Sequence, residues 1–141
     1  TDHLLKNEIH QSLLVFNEIL ENGFDGHNFI NGLGSHLRNL LVSNDAITLK
    51  LLEVSDNVKA KYNEQSKLAN LKFLIDGLKI IGETDVQYKT SKNQRLHVEL
   101  ALMKLSSLTA IEGEKKKKLI PLGNNTTQFF IRRFTSSSKP R

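Results

Sequence analysis

The chain has 141 residues, a size typical of one domain with a single hydrophobic core. Hydrophobic residues make up 38% of it and charged residues 25%, which excludes wholesale disorder, and the absence of cysteine excludes disulfides, thiolate metal sites and cysteine nucleophiles. No apolar run approaches the roughly 18 residues of a membrane span and no signal peptide opens the chain, so we expect no membrane partner.

The net charge of +5 is concentrated at one end of the chain. Residues 1–111 carry 12 lysines and arginines against 13 aspartates and glutamates, whereas residues 112–141 carry 8 against 2. A pI of about 9.5 suggests a nucleic-acid partner, but here the excess charge belongs to the C-terminal segment. The sequence therefore predicts a near-neutral domain over residues 1–111, followed by a basic tail or linker over residues 112–141.

The first 120 residues contain no proline, and their apolar positions recur every three or four residues. Both observations predict an all-α fold. The first helix is predicted over residues 2–21, with Gly23 as the left-handed residue that ends it. Asp25 is predicted to cap a second helix over residues 26–42, and the short connection makes the two helices an antiparallel hairpin.

The second half of the domain is predicted to add three or four helical segments. A short piece is predicted over residues 46–53, a helix from Ser55 through Gln65, and a longer helix over residues 67–89. The predicted inward residues of the longer helix are Leu71, Leu74, Ile75, Leu78, Ile81 and Val86. Asn93 is predicted to cap a last helix that ends near residue 107. Its predicted core residues are Leu96, Leu100, Met103 and Leu105. The fold class is therefore a compact bundle of five or six helices with a basic C-terminal tail.

The sequence offers no set of side chains for catalysis. The five histidines are scattered, and the carboxylates alternate with apolar residues as they do on a solvated helix face. Neither a glycine-rich phosphate loop nor a nucleophile elbow occurs. We therefore expect no enzyme activity, metal or cofactor in these residues. A helical enzyme of another kind is the alternative, and it requires a pocket where titratable groups converge.

The basic tail supports a second functional hypothesis, direct binding of nucleic acid. The candidates for phosphate contact are Lys115, Lys116, Lys117, Lys118, Arg132 and Arg133. Adjacent lysines supply charge without sequence readout, and phenylalanines beside the two arginines are typical of single-strand binding. A flexible charged tether is the alternative interpretation.

Two segments resemble a known family. Residues 23–42 read GFDGHNFINGLGSHLRNLLV and residues 88–105 read YKTSKNQRLHVELALMKL. Their succession, over about residues 3–108, resembles the third domain of the bacterial DNA polymerase III gamma/tau subunit, the motor protein of the clamp loader. The second segment is the more specific of the two.

The resemblance implies a helical collar domain, truncated here at its N-terminal edge, that associates side by side with other clamp-loader subunits in a ring. It implies a bacterial cytoplasmic protein, with ATP, magnesium and zinc sites only in preceding domains and DNA contacted indirectly or weakly through the tail. The candidates for subunit contacts or helix capping are Arg38, Tyr88, Lys89, Asn93 and Arg95. Arg95 lies in the first turn of its helix, where the helix dipole disfavours a cation, so we expect it to have a carboxylate partner.

Overall fold

The computed structural model describes residues 1–119, with the side chains of residues 1–111 and of Glu114, and all regular structure within that part is helical. Six α-helices are present there: α1 (Asp2–Leu5), α2 (Ile9–Glu21), α3 (Gly26–Ser43), α4 (Asp56–Ser66), α5 (Leu71–Tyr88) and α6 (Gln94–Leu119). A 3-10 turn, Thr48–Leu51, lies between α3 and α4. The all-α prediction and the number of helices are confirmed. The chain divides into two units, Thr1–Ile111 and Glu112–Arg141, and the contacts described below lie within the first.

Side-chain caps begin three of the long helices. Asp25, Asn70 and Asn93 each accept a hydrogen bond from a backbone N–H of the first turn, which otherwise lacks a partner within the helix. The bonds are His27 N to Asp25 Oδ1 at 3.0 Å, Phe73 N to Asn70 Oδ1 at 2.7 Å and Leu96 N to Asn93 Oδ1 at 3.0 Å. Gly23, with φ of +85°, follows the end of α2 in the left-handed conformation that glycine adopts without steric cost.

The hydrophobic core lies between α2, α3, α5 and α6. Its largest fully buried apolar side chains are Phe16, Ile30, Leu37, Leu40, Phe73, Leu74, Val98, Leu102 and Leu105. Each contributes roughly 1.5–3 kcal/mol through removal of apolar surface from water. Gly77 of α5 lies against side chains of both α3 and α6, because a Cβ there would be 3.1 Å from Leu37 Cδ1 and 3.2 Å from Leu105 Cδ2.

The first predicted helix, over residues 2–21, is in fact two helices. The chain turns between α1 and α2 at Asn7, whose φ of +58° is left-handed, a conformation that asparagine tolerates better than most residues. Residues of α6 hold this corner: Ser106 Oγ donates to Asn7 Oδ1 at 3.0 Å, and Thr109 Oγ1 donates to the Leu4 carbonyl at 3.0 Å. The break therefore depends on contacts about 100 residues away along the chain, which helical periodicity does not report.

Three other predicted boundaries also differ from the structure. The piece over residues 46–53 is only the 3-10 turn, and α5 begins at Leu71 rather than at residue 67 because Asn70 is its cap. Helix α6 continues past residue 107 to Leu119. Alanine, glutamate and lysine are good helix formers, and no proline occurs before Pro121.

The predicted inward stripes of α5 and α6 are wrong at six of their ten positions. Leu71, Ile75 and Val86 of α5 are exposed, as are three of the four predicted core residues of α6, Leu96, Leu100 and Met103. Leu74, Ile81 and Leu105 are buried as predicted, and the other buried residues described in the two helices are Phe73, Gly77, Thr84, Tyr88, Val98, Ala101, Leu102 and Ser106. Both helices carry apolar residues on two faces, and periodicity does not distinguish the face that packs against the domain.

Candidate functional site

The five residues predicted for subunit contact or capping do not form one cluster. Arg38 is exposed on α3, where its Nη1 donates to Asn39 Oδ1 at 3.2 Å. Lys89 is exposed at the C-terminal cap of α5, and Asn93 caps α6 four residues later. The corner between α5 and α6 therefore brings together Lys89, Asn93 and Arg95 but leaves Arg38 elsewhere.

Tyr88 belongs to a polar cluster that joins the start of α3 to the end of α5. Its buried side chain donates from the hydroxyl to Asp25 Oδ1 at 3.1 Å, and its ring stacks on His27 with centroids 5.0 Å apart. His27 Nε2 is 2.6 Å from Asp85 Oδ1, so a second contact ties the same two helix ends. Gly26 leaves room for this arrangement, because a Cβ there would be 3.1 Å from the Tyr88 hydroxyl.

The electrostatics of this cluster favour a structural role over proton transfer. The backbone N–H of His27, the Tyr88 hydroxyl and the His27 charge hold the pKa of Asp25 below its ordinary value. Burial raises the pKa of Tyr88, and the hydrogen bond to Asp25 and its negative charge raise it further. Both groups thereby move away from neutral pH, where a general acid or base must titrate. Asp25 stays an acceptor and Tyr88 stays a donor.

Arg95 joins α6 to α2 and has the carboxylate partner that its position calls for. Its Nε donates to Glu99 Oε1 at 3.0 Å, and its Nη2 donates to Asn17 Oδ1 at 2.7 Å. A groove of about 430 Å³ runs between the two helices at this point. Its lining residues are His10, Leu13, Leu14, Asn17, Arg95 and Glu99.

A second cavity, of about 300 Å³, lies between α3 and α4 and is lined by His36, Val58, Lys61, Tyr62 and Gln65. Two of its polar side chains are already bonded within the domain: His36 Nε2 is 2.6 Å from Gln65 Oε1, and Gln65 Nε2 donates to Asp2 Oδ1 at 2.5 Å. No carboxylate lines it. Among residues 1–119, no three histidine, aspartate or glutamate side chains are placed to hold a metal ion. Neither cavity presents the pairing of a nucleophile with a base that hydrolytic chemistry requires.

Two exposed apolar helix faces are the most prominent features that sequence reasoning missed. The α6 face consists of Leu96, Leu100 and Met103, each between 37% and 45% exposed. Their spacing of four and three residues places them on one side of the helix, opposite the buried Val98, Ala101 and Leu102. They form an apolar stripe that the packing of the domain covers only in part.

The α5 face consists of Leu71, Ile75, Gly82 and Val86, which share one side of the helix; Leu78 lies beside them and is partly buried against the core. Three of its side chains, Leu71, Ile75 and Val86, are between 52% and 79% exposed. Gly82, at its centre, lies in open space, because no atom would come within 4 Å of a Cβ there. Glycine in a helix interior costs about 1 kcal/mol relative to alanine, and packing within the domain gives Gly82 no compensating contact.

The predicted nucleic-acid contacts cannot be placed among these features. Helix α6 includes Lys115, Lys116, Lys117 and Lys118, but their side chains are outside the part of the chain that the structure describes. Arg132 and Arg133 lie outside them altogether. None of the helices in the described part is long and apolar enough to cross a membrane.

Comparison of the chain with protein-family models, curated proteins and solved structures gives no match.

Proposed function

We propose that this chain is a helical association module, the collar domain of a bacterial DNA polymerase III gamma/tau clamp-loader subunit. One observation carries the proposal. The segment with the more specific resemblance, residues 88–105, holds the three residues of the α6 face, and their side chains point away from the core. Apolar residues that a fold does not use internally favour contact with a partner.

The mechanism of such a module is association without chemistry. Helix faces of neighbouring subunits pack together, and the ring they form holds the attached ATPase domains in a fixed arrangement. ATP binding and hydrolysis then change the relation between those domains while the ring stays closed. The polar cluster of Tyr88 and the caps of α3, α5 and α6 serve this function by keeping the helix faces rigid.

The exposed apolar surface is sufficient for a modest contact. Full burial of a leucine or methionine side chain contributes roughly 1.5–3 kcal/mol, so burying the exposed part of the α6 face contributes about 3 kcal/mol. Association costs several kcal/mol of translational and rotational freedom. The α6 face alone therefore gives a weak contact, and a stable ring needs a further face or linkage through attached domains.

The direct experiment is light scattering of the longer subunit that carries this segment, mixed with the other subunits of its clamp loader. The proposal expects one complex with the mass of a ring. A matched subunit with Leu96, Leu100 and Met103 replaced by glutamate should remain outside that complex. Failure of the unaltered subunit to join it contradicts the proposal.

The hypothesis of direct nucleic-acid binding has the charge of residues 112–141 in its favour, since the other 111 residues are nearly neutral. It predicts salt-dependent binding of single-stranded DNA that weakens when Lys115 to Lys118 are replaced by glutamine. Glutamine is a good helix former, so this variant removes charge without breaking α6. Unchanged binding contradicts a role for these lysines.

A further inference from the structure

We propose that the cavity between α3 and α4 binds a small aromatic carboxylic acid. Lys61 and the Tyr62 hydroxyl would donate hydrogen bonds to its carboxylate, and the rings of His36 and Tyr62 would enclose its apolar part. This site is independent of the proposed association function, because none of the residues that line the cavity belongs to the α5 face or the α6 face.

The walls of the cavity come from one side of α4 and from a single residue of α3. The four residues of α4 are Val58, Lys61, Tyr62 and Gln65. Their spacing of three, one and three residues places them on the same side of that helix. The ring of His36 lies opposite, with its centroid 5.1 Å from that of the Tyr62 ring. Two rings and a valine side chain give the cavity apolar surfaces that suit an aromatic ligand.

A chain of hydrogen bonds holds the His36 ring in place and occupies Gln65. An ionised carboxylate only accepts hydrogen bonds, so the Gln65 amide turns its nitrogen toward Asp2, and Nε2 donates to Asp2 Oδ1 at 2.5 Å. Gln65 Oε1 then accepts from His36 Nε2 at 2.6 Å. The Asp2 carboxylate itself does not line the cavity. These polar atoms bind one another, and the His36 ring is left as a fixed wall for a ligand.

A second chain of hydrogen bonds leaves the Tyr62 hydroxyl with a proton to donate. Arg38 Nη1 donates to Asn39 Oδ1 at 3.2 Å, so the amide nitrogen of Asn39 is the atom directed at Tyr62. This nitrogen donates to the Tyr62 hydroxyl oxygen at 3.3 Å. The hydroxyl hydrogen has no acceptor within the described part of the chain. It is therefore available to an acceptor atom of a ligand.

Lys61 supplies the charge that selects an anion. Among the described residues, no group forms a hydrogen bond or an ion pair with its ammonium group, and Glu64, three residues further along α4, does not pair with it. None of the residues that line the cavity carries a carboxylate that could neutralise this charge. An unpaired cation and a hydroxyl donor beside two aromatic rings are complementary to a ligand with one carboxylate and one aromatic ring.

The volume of the cavity limits the size of the ligand. It is about 300 Å³, at the lower end of the range for sites that bind small molecules. A water molecule of the liquid occupies about 30 Å³, so the cavity suits a ligand of about a dozen non-hydrogen atoms. At the affinity per atom that is usual for small ligands, such a molecule binds with a Kd of about 0.1–3 mM.

Titration of the nitrogen-15-labelled 141-residue chain with 4-phenylbutyrate, followed by two-dimensional NMR of the backbone amides, tests the proposal. This acid has one aromatic ring and one carboxylate, and it matches the cavity in size. The amide signals of α4 and of the residues around His36 should shift and reach saturation. The neutral analogue 4-phenylbutanamide has nearly the same shape, and without the charge it should bind at least about tenfold more weakly.

Three variants identify the groups that bind the carboxylate. Lys61→Gln should weaken binding about tenfold, because it removes the charge and keeps a good helix former in α4. Tyr62→Phe keeps the aromatic wall but removes the hydroxyl donor, so binding should weaken about threefold. Lys59→Gln makes the same change of charge on the same helix at a residue that does not line the cavity. It is the matched control, and its affinity should equal that of the unaltered chain.

Several outcomes would overturn the proposal. One is the absence of saturable shifts at up to about 10 mM 4-phenylbutyrate, well above the expected Kd. Equal binding of the acid and the amide would show that the cavity does not recognise charge. Equal weakening by Lys59→Gln and Lys61→Gln would show that the acid responds only to the general charge of α4.

A comparison with a short peptide distinguishes a free acid from the C-terminal carboxylate of another protein. An acetylated tripeptide that ends in phenylalanine carries the same ring and the same carboxylate on a longer chain. The cavity should bind this peptide no more tightly than 4-phenylbutyrate, because its volume accommodates only about a dozen non-hydrogen atoms. Binding at least about tenfold tighter than that of the acid would contradict a small-molecule site. Neither result affects the light-scattering test of the proposed function.

Discussion

Two glycines of α5 should respond differently to the same substitution. Gly77→Ala and Gly82→Ala both occur in the interior of one helix, so both gain the same helix propensity, about 0.8–1 kcal/mol. Gly82 lies in open space, whereas Gly77 faces the ends of Leu37 and Leu105, both fully buried. Comparing the two variants therefore isolates the packing between α3, α5 and α6.

The magnitudes follow from these contacts. At Gly82 the propensity gain is unopposed, so the free energy of unfolding should rise by about 1 kcal/mol and Tm by about 3–5 °C. At Gly77 a Cβ would come within 3.1–3.2 Å of methyl groups of two fully buried leucines, which would have to shift by a few tenths of an ångström. Overpacking a core of this kind costs about 1–3 kcal/mol, so Gly77→Ala should be neutral or destabilising by up to about 2 kcal/mol.

Urea unfolding followed by circular dichroism measures both changes, at low protein concentration so that association does not contribute. The slope of the unfolding free energy against urea concentration should be the same in both variants and in the unaltered chain. If Gly77→Ala stabilises the chain as much as Gly82→Ala does, the three helices do not meet at Gly77 in the way described, and the position of α6 against α3 is wrong.

Three further predictions use the same measurement. Asn93→Ala should lower the free energy of unfolding by about 1 kcal/mol, because Asn93 binds the backbone of its helix. Ser55→Ala, the matched control, should lower it by only a few tenths of a kcal/mol, because Ser55 makes no such bond. Leu102→Ala should lower the free energy of unfolding by about 2–5 kcal/mol, and Leu100→Ala should lower it by less than about 1 kcal/mol. Similar losses in the two variants would contradict the assignment of the α6 face. The raised pKa of Tyr88 means that the folded state holds the phenolic proton more tightly than the unfolded state does. The stabilising effect of this proton is complete below the ordinary pKa near 10 and is lost as pH rises through the folded-state pKa. Tyr88→Phe should therefore be less stable than the unaltered chain at pH 7 and should lose less stability than it does above pH 10. If stability above pH 10 falls equally in both, the bond to Asp25 is contradicted.

Local chemistry explains which features could be predicted from the sequence. Asp25 and Asn93 were predicted as caps because capping needs only one polar side chain and the next backbone N–H groups. Gly23 was predicted to end α2 because few other residues adopt a left-handed conformation without cost. The all-α class followed in the same way from apolar spacing and the absence of proline.

The outward faces could not be predicted, because the choice between two apolar faces of one helix is a tertiary property. In α6, Leu96, Leu100 and Met103 have the same spacing as the residues that are actually buried. Because the side chains of these three residues are larger, the sequence pattern favours them as the core. The small Ala101 belongs to the buried set. For the same reason, the sequence pattern predicts Ile75 and Val86 of α5 as core residues, although both are exposed.

The polar cluster of Asp25, His27, Asp85 and Tyr88 was equally inaccessible from the sequence. Its members come from two helices about 60 residues apart, and only their packing brings the tyrosine hydroxyl to the aspartate cap. Tyr88 was selected through the family resemblance rather than through any local signal.

The central claim is that this chain works by association through helix faces, and its mass in solution as a function of concentration tests that claim most directly. Multi-angle light scattering should give 16.0 kDa at low concentration and a mass that rises continuously beyond 32 kDa at high concentration, because each copy has two different faces. A mass that stays at 16.0 kDa up to millimolar concentration would contradict association through copies of this chain.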